Sequence, residues 1–477
     1  MADLGDIDDL LRDLEPEKEL KGKIDDFRRI RAKNTSISVM LYILSLVFVI
    51  AFSTLPEFFG KRFNSKGMRI LSTVTAIITM SVYLLSVAMG IGTLMNVVTG
   101  LDYMACVAIG VAIFLFVSLV SGSKGVLITD TLMFSVFTTA LIVSAFVIIG
   151  KAGGWNSVVS SLVNSDKKGF IDWAGDPSYL YPSGALNLVW GLIQGVLWMS
   201  VCMVGPWQSS RYLMARNEHT VIRSSIFSAF GIFVLQFLVG IAAVSVNKFQ
   251  TDFTSNSHVL LWASQNVLPT FLGVILLTGV LAAGISSGTT FLSLIGSSFA
   301  NDIIKTKNKT VFVGRISMCI AAVVILLLGM FNPPQIFWVM YLGGSIIASS
   351  WMPVALASIL SKRVTKAGAF SGMLTGFVVC FSMKMISNLG GITFPAYLDP
   401  TLVGIIANLI AMIIASALTQ VTPEEKEARA KMFVVPESEK DPVEVKKTRI
   451  YLFASIGLGL LIAIILVAFW AIPVMIA

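Results

Sequence analysis

The sequence predicts an all-α polytopic membrane protein with about twelve transmembrane helices. Composition is the first reason. The chain has 477 residues, 56% of them hydrophobic and only 13% charged, with a mean hydropathy of +0.84. A water-soluble domain of this kind would expose far too much apolar surface. The second reason is length, because apolar runs near the roughly 20 residues of a spanning helix recur along the chain. The third is the uneven placement of lysine and arginine between alternate loops.

Residues 1–36 form a charged tail with eight basic and ten acidic residues. It opens on acids, unlike the basic start of a secretory signal. It reads either as a solvated tail or as two short amphipathic helices flanking Pro16. Candidate spans follow at about 37–55, 70–97, 101–121, 126–150, 184–206, 221–246, 271–296, 310–330, 336–360, 368–386, 400–420 and 450–476. The first is the weakest, because its fully apolar stretch is short. Cys106, Cys202, Cys319 and Cys380 all fall within spans, as small core residues rather than disulfide partners. His219 and His258 fall in loops without metal-ligand spacing.

Twenty lysines and arginines outside the tail lie on one side, seven of them in the 421–449 loop. Only Lys151, Lys167, Lys168 and Lys248 lie on the other. The rich side is cytoplasmic, and the C-terminus lies outside. Twelve spans then put the N-terminus outside too, yet Arg28, Arg29, Arg31 and Lys33 prefer the cytoplasm. The conflict points either to a span 37–55 that is not a simple crossing or to absent preceding segments. The net charge of +8 reflects topology and calls for no nucleic-acid partner.

The sequence carries no P-loop, no HExxH, no Cys-x-x-Cys and no plausible Ser/His/Asp arrangement. Intramembrane acids are almost absent, so the expectation is not an enzyme. A secondary transporter needs only broken helices, oxygen ligands and packing that can rearrange.

Four stretches suit that role. In "GVLAAGISSGTT" (279–290), Ala283, Ser286 and Ser287 stand at i, i+3 and i+4 on one helical face. Two hydroxyls and a carbonyl a turn earlier make an oxygen cluster fit for a hard monovalent cation such as sodium. Gly284 and Gly288 form a GxxxG, so close helix packing is the competing reading. Asp130 lies just inside a span, either as an ion-path carboxylate or as a helix cap. Trp190, Gln194 and Trp198 recur every four residues, as a pocket lining or as interfacial and interhelical residues. Gly205-Pro206 should end that helix. Gly343-Gly344, Ala348-Ser349-Ser350 and Pro353 put a small-residue section in mid-span, suited to bending or to tight packing.

Taken in order, these motifs resemble the sodium:solute symporter family. "TLPEFFGKRFNSKGMRIL" is similar to the cytoplasmic stretch after its second core helix, and "GVLITDTLMFSVF" to its fifth core helix. "SSRYLMARNEHTVIRSS" resembles the loop after its sixth. "LAAGISSGTTFLSLIGSSFANDI" resembles its eighth, and "NPPQIFWVMYLGGS" the turn into its tenth. The likeness runs from about residue 54 to 420. It implies a leucine-transporter-type fold of two inverted five-helix repeats. It also implies that Ala283, Ser286 and Ser287 ligate sodium, that Asp130 lies on the sodium path, and that the Trp190, Gln194, Trp198 face lines the substrate site. The family's extra helix and unwound first core helix have no counterpart, and 37–55 takes the place of the second.

The expected organisation is therefore a tail (1–36), a transporter core (37–360) and C-terminal accessory helices (361–477) with the cytoplasmic loop 421–449. Within the core, 37–150 is an incomplete first repeat and 184–360 the second. The expected function is import of a small polar organic solute by a sodium-coupled symporter of the cell membrane, with sodium co-transported. A transport-inactive or truncated scaffold or sensor on the same fold is the alternative. Solute identity and oligomeric state stay open.

Overall fold

Short polar caps separate the apolar helices of this chain. The structure, a computed structural model, describes residues 54–120, 123–163, 183–213, 217–251, 256–304, 309–330, 336–432 and 440–468, with isolated positions between them. The charged tail and the first candidate span, through residue 53, lie outside the described residues.

Helix α1 (Leu55–Arg62) starts at Thr54, whose hydroxyl accepts from Glu57 N at 3.1 Å. Helix α2 (Lys66–Thr99) starts at Ser65 and ends at Gly100, whose φ of 72° is the left-handed stop that glycine takes freely. Then come α3 (Tyr103–Val120), α4 (Ser123–Lys151) and the short α5 (Trp155–Val163). Helix α6 (Gly184–Val204) stops at Gly205, and α7 (Pro206–Leu213) begins on the proline, as the Gly-Pro pair predicts. Helix α8 (Glu218–Val246) is capped by Asn217, and α9 (Val259–Asn266) leads into α10 (Thr270–Ser298). After α11 (Thr310–Met330), α12 (Ile336–Ile346) passes through a π turn at Ile347–Trp351 into α13 (Met352–Leu360). The accessory helices are α14 (Lys366–Gly390), α15 (Pro400–Ala417), α16 (Pro423–Lys431) and α17 (Pro442–Leu466).

Eleven segments among the described residues are long and apolar enough to span a membrane. They coincide with the eleven expected after 37–55. No strand occurs among the described residues. Exposed Leu132, Leu192 and Phe271 face outward, where lipid is their natural neighbour. The 336–360 stretch is the most enclosed of the eleven, and the apolar window of α17 buries nothing.

The π turn in the enclosed stretch breaks the regular hydrogen-bond ladder and frees carbonyls that need partners. Asn408 on α15 supplies them, its amide donating to Ser349 O at 2.8 Å and Ser350 O at 2.9 Å. The bend expected here is thus a buried register change, with Pro353 in the first turn beyond it. Gly343 and Gly344 serve packing. A Cβ on them would come within 2.8 Å of the Tyr83 ring and 2.7 Å of Leu197.

Two polar clusters tie helix ends together. Arg69 on α2 pairs with buried Asp302 beyond α10 at 2.6 Å, and Thr54 donates to the same carboxylate at 2.9 Å. Arg62 is buried and donates Nε–H to Ser358 O at 2.8 Å. Burial, and then the neighbouring Arg429, press its pKa down to about 10. His219 departs from its expected loop position. It lies buried in the first turn of α8, 2.9 Å from the Thr448 hydroxyl on α17. Helix α17 begins at Pro442, eight residues before the expected span, because Asp441 caps it.

Candidate functional site

Helix α10 carries its small and hydroxyl residues on two adjoining stripes. The glycines are packing positions. A Cβ at Gly279 would stand 3.0 Å from Phe137 Cα on α4. At Gly284 it would meet Ile91 on α2 at 2.8 Å, and at Gly288 the Phe114 ring on α3 at 2.7 Å. Ala283 and Ser286, four and seven residues on, share the stripe of Gly279, with Ser287 beside them, and all three are only half-buried. Thr289 donates back to Ser286 O at 2.9 Å, and Ser118 on α3 donates to Thr289 O at 3.2 Å. Gly284 and Gly288 thus pack on one stripe, towards α2 and α3, while Ala283 and Ser286 continue the Gly279 stripe that faces α4.

The α4–α10 register adds the next feature. Lys151 reaches Val267 O at 2.6 Å just before α10. Leu141 and Leu276 share a core cluster, and Phe137 meets Gly279. Each step back along α4 is matched by a step forward along α10, so the two run antiparallel. Both helices rise 1.5 Å per residue. Seven residues back from Phe137, the backbone of Asp130 is level with Ser286. The side chain of Asp130 lies outside the described residues.

The α6 residues are placed elsewhere. Trp190 is 6.4 Å, centroid to centroid, from both Phe337 and Tyr341 on α12. Gln194 lies within reach of Tyr341, and neither end of its buried carboxamide makes a hydrogen bond of ordinary geometry. Trp198 packs against the main core. Helix α6 lies chiefly against the α12–α13 segment and the turn at Ala396–Leu398 before α15. The structure therefore brings Asp130 and Ser286 to one level of neighbouring helices, and Trp190 and Gln194 to a second locus.

Sequence reasoning missed the residues between these loci. Trp207 on α7 stacks edge-on with Tyr83 at 4.5 Å and with Phe291 at 5.0 Å, joining α2, α7 and α10. No local pattern announces such a trio. The second locus holds Tyr341, whose hydroxyl donates to buried Asp399 at 2.7 Å, and Lys384 on α14 beside the same ring. A lysine inside an apolar run is itself a signal, but Lys384 sits close enough to the end of 368–386 to pass for an interfacial anchor.

Known proteins resemble this chain in sequence and in fold. The sequence profile of the sodium:solute symporter family matches residues 34–376. The sodium/proline symporter of Escherichia coli (strain K12) is 23% identical over 358 residues, covering 71% of this chain and 68% of that one. The high-affinity proline transporter PutP of Bacillus subtilis (strain 168) is 25% identical, covering 77% of each. Among solved structures, a Na+-coupled sialic acid symporter in a substrate-bound outward-open state superposes with a TM-score of 0.60. It is 15% identical and covers 80% of this chain and 84% of that chain. The superposition agrees with the inverted-repeat transporter fold. The profile, reaching across most of the chain, makes it a multi-pass transport protein of the cell membrane, not an enzyme, with sodium as the coupling ion. The chain belongs to the sodium:solute symporter family.

Proposed function

We propose that this protein imports a small polar organic solute, of about the size of proline, by sodium-coupled alternating access. Sodium would be held by the Ala283 carbonyl and the Ser286 and Ser287 hydroxyls, with Asp130 on its path. The solute would rest against Trp190, Gln194 and Trp198. In this reading residues 37–360 form the moving core, with repeats at 37–150 and 184–360, and 361–477 are accessory.

The observation that carries the reading is the antiparallel α4–α10 register, which sets Asp130 level with Ser286. A hard cation prefers oxygen ligands. Three neutral oxygens on one helix, with a carboxylate on the path to them, suit a monovalent ion that must also leave. The proline symporters among its relatives motivate the solute class. Coupling follows when sodium binds one conformation better than the other and shifts the population.

Uptake of radiolabelled L-proline and similar amino acids into proteoliposomes tests it. An inward sodium gradient should drive accumulation, and potassium should not replace it. Ser286→Ala with Ser287→Ala should abolish the sodium stimulation, and Asp130→Asn should raise the sodium concentration needed. Uptake indifferent to sodium, or none for any solute tried, refutes the reading and favours a transport-inactive protein.

A further inference from the structure

We infer that Lys384, on the accessory helix α14, is the docking group for a carboxylate on the transported solute, so that this carrier selects an acidic or zwitterionic small molecule over a neutral one. The inference rests on the reading of Trp190 and Gln194 as solute lining.

Lys384 lies within a membrane-spanning helix and is only 9% exposed. Its ammonium sits 3.6 Å from the centroid of the Tyr341 ring. That contact uses the π face and satisfies none of the three N–H donors in the usual way. Among the described residues no oxygen accepts a hydrogen bond from it, and no carboxylate lies within ion-pair distance. The acid nearest in charge is Asp399, itself buried. Its oxygens are engaged elsewhere: one accepts from the Tyr341 hydroxyl at 2.7 Å, the other from Thr401 N at 2.8 Å. A buried ammonium is costly in lipid unless it meets an acceptor.

A second side chain at this locus is also short of partners. The buried Gln194 carboxamide lies within reach of Tyr341, and neither of its ends makes a hydrogen bond of ordinary geometry. Trp190, Phe337 and Tyr341 supply aromatic walls. Two unpartnered donors, one charged, converge on one aromatic group. The missing element is a compact anionic acceptor. A carboxylate fits, accepting from the ammonium through a charge-assisted bond and from the amide through a second. A neutral solute would leave the ammonium as it is. Chloride offers the same charge without the solute, so the test must separate the two.

The measurement is competitive binding to the purified full chain in nanodiscs, with acid–amide pairs as probes: L-proline with L-prolinamide, L-alanine with L-alaninamide, and lactate with lactamide. The wild-type protein should bind at least one acid about tenfold or more above its amide, the scale of one charge-assisted contact. Lys384→Met should erase that preference, and Lys384→Arg should keep most of it. Gln194→Glu, nearly isosteric, should weaken the acid and spare the amide, which guards against a Lys384→Met protein that fails to fold. Replacing chloride by methanesulfonate should leave the preference unchanged. The inference is overturned by a wild-type protein that prefers no acid, by a preference that survives Lys384→Met, or by one that vanishes without chloride. Sodium-driven uptake of a neutral solute would overturn it while sparing the proposed function. Acid binding through Lys384 that sodium never affects would do the reverse.

Discussion

A single amide shows how much a buried turn depends on one side chain. Asn408 donates to two carbonyls that the π turn at Ile347–Trp351 leaves outside its own ladder. Both carbonyls belong to fully buried residues. Asn408→Ala therefore removes two hydrogen bonds and strands the acceptors, at a cost of about 1–3 kcal/mol. Thermal unfolding of the detergent-solubilised protein should show a lowered Tm, and an unchanged Tm would mean that the turn finds other partners. The position also marks a limit of legibility. Asn408 is an unremarkable polar residue within 400–420, and its partners lie 58 and 59 residues away. Ser286, Ser287 and Asp130 stand out in the sequence because their types are unusual in apolar runs. Asn408, Tyr83 and Trp207 act through long-range neighbours that no local spacing encodes.

At the scale of elements, positions of helices were legible and their ends less so. Apolar length fixed each described span to within a few residues, apart from the Thr270–Ile304 span, expected to end at 296, and α17 (Pro442–Leu466), expected at 450–476. Capping by Asp441 extends that helix into charged sequence that hydropathy excludes. How helices are joined was also hidden. The Arg69–Asp302 pair joins the start of α2 to the end of α10, and Thr54 joins α1 to both. Asp302 is fully buried and Arg69 is one-fifth exposed, so removing the acid leaves a largely buried guanidinium with its bond to Asn301 O at 3.2 Å but no counter-charge. Asp302→Ala should cost about 3–5 kcal/mol. Asp302→Leu combined with Arg69→Met, which leaves no orphan charge, should recover most of it. Unfolding by a graded detergent denaturant would rank the three proteins. Equal stability of the single and double variants would show that the pair contributes no desolvated charge interaction.

At the scale of the whole molecule, charge placement predicts orientation. The loop 421–449 carries seven lysines and arginines, and the stretch 391–399 before α15 carries none. Positive charge near span ends stays in the cytoplasm. The fold agrees, because the rich side is bound together: Arg429 on α16 donates to Ile359 O at the end of α13, at 2.9 Å. Glu425 accepts from Lys366 N at the start of α14, at 2.5 Å. The ends of α13 and α14 must then share one face with α16, whereas Tyr397 sits exposed beyond the other end of α14. Single cysteines at exposed Lys431 and Tyr397 convert this into an experiment on intact cells. Cys106 and Cys380 are buried, so background labelling is restricted to Cys202 and Cys319, which are replaced by alanine. Tyr397→Cys should react with a membrane-impermeant maleimide added outside. Lys431→Cys should react only after the membrane is made permeable. The reverse pattern would invert every loop assignment, and with it the direction in which sodium and solute enter.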